Sequence, residues 1–100
     1  MIVKFLSHAN SELTDAIAYY EGELSGLGHR LWDELDQHIA WIELNHEVPR
    51  LRPGGYRRVN LKIFPYYVSY VVRDQVIWIL AFAHSHSLPE YWIDRPSAII

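Results

Sequence analysis

The sequence contains no cysteine. Disulfide frameworks, thiolate nucleophiles and cysteine-ligated metals are excluded, so stability has to come from packing and hydrogen bonding. Long apolar runs are missing as well. No stretch of the chain reaches the roughly 18 residues that a membrane-crossing helix needs, and the apolar start MIVKFL is short for a secretory leader. The expectation is a soluble, cytoplasmic protein with no membrane association. The chain also lacks G-x-G-x-x-G, G-x-x-x-x-G-K-[ST], G-x-S-x-G and H-E-x-x-H. The commonest phosphate loops, nucleophile elbows and zinc helices are thereby absent. With half of its 100 residues apolar, the chain should form a single domain over residues 1–100. Such a domain hides roughly two-thirds of its unfolded surface.

A net charge of −3 conceals a division. Residues 1–47 carry nine carboxylates against Lys4 and Arg30, a balance of −7. Residues 48–100 carry seven Lys/Arg against Asp74, Glu90 and Asp94, a balance of +4. Such segregation suits a molecule that turns one side toward an anionic partner, and it also suits an ordinary solvated surface.

Hydrophobic periodicity organises the chain. Residues 57–63 alternate, with Val59, Leu61 and Ile63 on one side and Arg58, Asn60 and Lys62 on the other, as in a half-buried strand. Tyr66–Arg73 is β-branched and aromatic, and residues 76–83 (VIWILAFA) have no polar member, which predicts the most buried strand. Arg73-Asp74-Gln75 is the polar break that joins the last two as a hairpin, and Phe64-Pro65 joins the first two. Upstream, residues 2–6 read as another strand. A helix follows, capped by Ser7, Asn10 or Ser11, with a stripe of Ala9, Leu13, Ala16, Ile17, Tyr20 and Leu24. Glu12, Asp15, Glu21 and Glu23 lie off that stripe and should be wet. After Gly26-Leu27-Gly28, a second helix over residues 29–45 presents Leu31, Leu35, His38, Ile39 and Ile42 inward. Arg30 and Glu34 should form a surface pair worth ~0.3 kcal/mol. The implied fold is α+β, ordered β-αα-βββ, with an antiparallel sheet packed on an α-helical hairpin.

Three constellations have chemical potential. Arg50, Arg52, Arg57, Arg58 and Lys62 fall within thirteen residues. With Tyr56 and Tyr67 read as exposed neighbours, they offer guanidinium forks for phosphates or carboxylates and rings for stacking. The plainer reading is a polar outer face that keeps the sheet soluble. His84 and His86, read as one face of a strand, begin a metal site, yet spacing supplies no third ligand, and neither metal nor cofactor is expected. A titrating histidine is the better chemical role, and a ring bonded to backbone at a strand end is the plainer one. In the tail, Tyr91 and Trp92 read mainly as residues that close the core.

Arg57-Arg58, the run Phe64 to Tyr70 (FPYYVSY), the run Ile79 to His84 (ILAFAH), Pro89-Glu90-Tyr91-Trp92 and Arg95 stand in an order that resembles the RelE/ParE toxin superfamily of type II toxin–antitoxin modules. The branch it resembles is often called plasmid stabilisation protein. Ala18–Glu21 and Gly26–Gly28 match that pattern too, so the resemblance covers nearly the whole chain. It implies a growth-inhibiting toxin, neutralised by a cognate antitoxin and assembled with it or as a homodimer. Its target would be DNA gyrase in ParE-like members, the first expectation here. In RelE-like members it would be mRNA on the ribosome, cut by basic and tyrosine side chains. A degenerate, non-toxic binding module is the third reading. Residue by residue, one RelE-type arginine falls at Tyr67, another at Ser85 and the catalytic tyrosine at Tyr91. Ser87 stands where the branch usually has arginine. A nuclease would therefore rely on Arg58, His84 and Tyr91. Contacts to partner or nucleic acid would come from Arg50, Arg52, Arg57, Arg58, Lys62, Tyr67, His86 and Arg95.

Overall fold

The structure is a computed structural model that describes residues 1–99. Its elements run β1 (Ile2–Phe5), α1 (Ser7–Glu23), α2 (Leu27–Asn45), β2 (Arg57–Asn60), β3 (Tyr66–Arg73) and β4 (Val76–His84), closing with a 3₁₀ turn over Arg95–Ala98. The sheet order is β1-β4-β3-β2. The three C-terminal strands form an antiparallel meander, and β1 joins β4 in parallel, so the sheet is mixed.

The link between the helices is only Leu24 to Gly26. Gly26 takes φ 89° and ends at the first turn of α2, which begins at Leu27, two residues earlier than periodicity suggests. Gly28 packs so closely that a Cβ there would lie 2.7 Å from the carbonyl oxygen of Ile17. The Glu21 carboxylate, exposed as expected, accepts from Gly26 N–H and Gly28 N–H at 2.9 and 3.0 Å and so caps the next helix. None of the three expected caps serves α1. Leu6 occupies its N-cap position without a side-chain bond, and Ser7 is already helical.

Ala9, Leu13 and Ala16 from α1 and Leu31, Leu35 and Ile42 from α2 bury against Val68, Tyr70, Ile77, Ile79 and Phe82 on one sheet face. Leu24, read as the end of the α1 stripe, is 62% exposed because the helix has already ended. On the other face Trp92 is fully buried among Tyr56, Tyr67, Leu80, Ala81 and Ala83, beneath the chain's own tail. A bulge lets β4 serve both layers. Ser69 pairs with Ala81 and Tyr70 with Ile79, leaving Leu80 as an extra residue that reverses the alternation. An all-apolar strand gives no outward sign of such a slip. At the hairpin, Asp74 and Gln75 both take positive φ (51° and 67°), the backbone of a two-residue turn that matches strand twist.

The largest departure from the sequence pattern is Glu34. It is 6% exposed, and it makes no surface pair with Arg30. Its carboxylate accepts from the N–H groups of Lys62, Ile63 and Phe64 at 2.7–3.2 Å. Those amides turn toward α2, so β2 stops at Asn60 and Ile63 swings out to 70% exposure. Burial would raise the Glu34 carboxyl, but the three backbone donors, helped by His38, outweigh it and hold it below 4.5. The lowered value stabilises the fold fully above the ordinary glutamate range and is lost as pH falls through the folded value. Glu34→Gln should therefore cost about 2 kcal/mol at neutral pH, since an amide leaves donors facing donors. Urea unfolding at pH 7 and pH 3 checks this; the gap between variant and parent should shrink on acidification.

Candidate functional site

β1 leaves the sheet at Phe5, and Leu6 N–H makes the last bond to Ile79. Beyond that point the rim of β4 has no strand beside it. Buried backbone groups left there without partners would cost about 1–3 kcal/mol each. Two side chains meet them. Glu12 from α1 accepts from Phe82 N–H at 3.2 Å, and Arg95 from the tail donates to the Leu80 carbonyl at 3.0 Å. Arg95 and Glu12 also join in a two-pronged pair at 2.8 and 3.2 Å. The Tyr91 hydroxyl donates to the same carboxylate, and its ring centroid lies 5.2 Å from the Arg95 guanidinium.

Burial first, and then the Glu12 carboxylate it bonds, push the Tyr91 phenol well above its ordinary value. At neutral pH this tyrosine is a proton donor already committed to a carboxylate. Although 42% exposed, it forms a lid on the β4 rim, while Trp92 beside it fills the core as expected.

Arg58 lies on the face covered by the tail. Its guanidinium stacks 3.8 Å above the Tyr67 ring and donates to the Asn60 side-chain oxygen at 2.8 Å. Tyr67 and Tyr56 are each only 4% exposed, which corrects their reading as surface rings. The Tyr67 hydroxyl accepts from the Trp92 indole at 2.8 Å, and Tyr56 donates to Glu90 at 2.7 Å. Glu90 itself takes φ 54°, an unfavourable backbone for a side chain with a Cβ. The tail thus supports Arg58 from beneath and leaves its outer side half open.

The rest of the basic cluster does not form one patch. Arg57 donates to the carbonyls of Glu47 and Pro49 at 3.1 and 2.6 Å, which fastens the loop after α2. Arg50 is exposed and Arg52 half-buried. Lys62 is exposed on the α2 side of the sheet edge, away from Arg58, because the turn into Glu34 ends the alternation. His84 ends β4 on the helix-side face, edge-on to Tyr66. Its Nδ1 accepts from His86 N–H at 3.1 Å, the backbone-bonded arrangement of a strand end. His86 lies past the strand, yet its ring stands 5.5 Å from that of His84 and tilted 41° to it. Among the described residues no three His, Asp or Glu side chains are grouped to hold a metal.

The three nuclease candidates consequently occupy three places. Arg58 is on the tail-covered face, His84 is at the opposite face's end, and Tyr91 is on the β4 rim. Residues that the sequence pattern passed over are Glu12, Glu34 and Asn60. The Glu12–Arg95 bond spans 83 positions, and a carboxylate on a wet helix face carries no local sign of such a partner.

A solved chain described as "Chromosomal ParDE TA system from P. aeruginosa" superposes on this one with a TM-score of 0.72 and 18% sequence identity, covering 84% of this chain and 95% of that one. The two share one fold. That agrees with the α+β, β-αα-βββ layout and, at the level of fold, with the RelE/ParE resemblance of the motifs. No family model matches the chain, and neither does any curated protein sequence. Among the described residues no helix is long and apolar enough to cross a membrane.

Arg95→Ala and Glu12→Gln should each lower stability by about 1.5–3 kcal/mol, and the double variant should lose less than their sum. Denaturant midpoints in a double-mutant cycle measure this. Hydrogen exchange should quicken over the tail before the central strands in either single variant.

Proposed function

We propose that this protein is the toxin of a type II toxin–antitoxin module, acting in the cytoplasm and held inactive by a cognate antitoxin in a hetero-oligomer. The observation that carries the reading is the fold shared with a ParDE chain, together with the ordered motif resemblance. Inhibition through protein contacts on DNA gyrase fits the geometry better than mRNA cleavage does. Phosphodiester cleavage requires an acid, a base and cationic donors converging within about 3 Å of one phosphate. Here Tyr91 is spent on Glu12, and Arg58 and His84 lie on opposite faces. A half-open guanidinium braced on an aromatic ring is instead a good anchor in a protein interface. Arg52 adds positive charge near it, both cations acting on the Tyr56 phenol, while Arg57 and Arg95 serve the fold.

Purified protein should block gyrase-catalysed supercoiling while leaving ribosome-bound mRNA intact, and Arg58→Ala should weaken the block about tenfold. mRNA cut at the ribosomal A site, with supercoiling untouched, would replace this reading with the nuclease one. Normal growth on overexpression, with neither effect, would leave only a binding module.

A further inference from the structure

The Arg58 guanidinium has one edge in use and another free. Asn60 Oδ1 accepts from Nε and Nη2 at 3.3 and 2.8 Å, and the Tyr67 ring covers one face of the plane at 3.8 Å. Tyr67 is itself held by the Trp92 indole, which fixes the platform. The end edge, formed by Nη1 and Nη2, is left over. Among the described residues, neither Arg58 nor Arg52 has a carboxylate within ion-pair distance. Both guanidiniums act on the Tyr56 phenol, against the Glu90 carboxylate that Tyr56 bonds at 2.7 Å. Arg52 and Arg58 are half-buried, and Asn60 and Glu90 are exposed, so a partner can reach this place from solvent.

We infer that the free edge of Arg58 takes a single carboxylate from a protein partner, with Asn60 fixing the direction of approach. A carboxylate presents two oxygens at the spacing of Nη1 and Nη2. A planar fork already stacked and hydrogen-bonded loses little freedom when it binds one. A nucleic-acid backbone fits this face less well. Such a ligand needs a row of cations, whereas Arg57 is given to the Glu47 and Pro49 carbonyls and Arg95 to Glu12 and Leu80. Glu90 offsets part of the local positive charge, and the net charge of −3 repels a polyanion. Asn60 is a positioning residue here, because it closes the side edge of the fork and leaves the end-on approach. That the partner is DNA gyrase rests on the proposed function. The preference for one carboxylate rests on the geometry of this face.

Two measurements test it. In the first, the chain with isotope-labelled arginine is titrated with sodium acetate at constant ionic strength. Acetate should shift the Arg58 Nη signals at about fivefold lower concentration than those of the exposed Arg50, while the Nε–H signal bonded to Asn60 stays in place. Asn60→Asp keeps the shape of the side chain but sets a charge against the fork, and should erase that preference. Oligothymidylate should bind no more tightly than an oligoglutamate of equal length. Equal response of the two arginines, or tighter capture of oligothymidylate at Arg58, overturns the inference, the latter in favour of nucleic acid. In the second, inhibition of gyrase supercoiling is compared among variants whose amide spectra show the fold intact. Asn60→Asp should weaken it about tenfold, as Arg58→Ala does, and the double variant should lose no more than either alone. Additive losses, or undiminished inhibition by Asn60→Asp, overturn the carboxylate seat while leaving the gyrase reading standing. Absence of inhibition by the unmodified chain overturns that target, and the acetate titration then decides the site's own preference.

Discussion

Buried backbone N–H and C=O groups must find partners, and in this protein two helical carboxylates answer where the sheet runs out of strands. Glu12 serves the rim of β4 beyond the departure of β1, and Glu34 serves the three amides at the turn between β2 and β3. Each bond joins a helix to the sheet with fixed geometry, which apolar packing alone does not specify. The helical layer is therefore registered on the sheet by two polar pins as well as by its apolar stripes.

These pins shape the surfaces that are left. Because Glu34 draws residues 62–64 toward α2, β2 is short and its outer edge and Ile63 are open. Because Glu12 holds Arg95 and Tyr91, the tail is tied down across the second sheet face, Trp92 is sealed beneath it, and Arg58 is propped on Tyr67. One face thus carries a braced cation, and the sheet edge carries a groove lined by Arg30, Trp41, Lys62 and Ile63.

The elements were largely legible because their signals are local. The α1 and α2 stripes, the Asp74-Gln75 hairpin and the apolar β4 run were all read from periodicity and turn chemistry, and Trp92 from its place after the last strand. Ends and edges were not. The expected α1 cap is unused, β2 stops three residues early, and Leu80 shifts the phase of β4 without altering an all-apolar run. The basic cluster looked like one face because alternation was carried past Asn60, where Glu34, 28 to 30 residues upstream, ends it. Tyr56 and Tyr67 looked exposed because nothing near them in the chain announces that the tail folds over them.

The sequence by itself determined the class of fold, the order of its elements and which stripes face inward, since these follow from spacing within a single helix or strand. Only the tertiary structure decided that β1 enters parallel, that Glu12 and Glu34 are spent on backbone, that Tyr91 is bound to a carboxylate, and that Arg58, His84 and Tyr91 stand apart. The physical reason is range. Periodicity is written in neighbouring residues, whereas a backbone amide without a partner is answered by whichever side chain the folded chain brings to it, however distant in sequence.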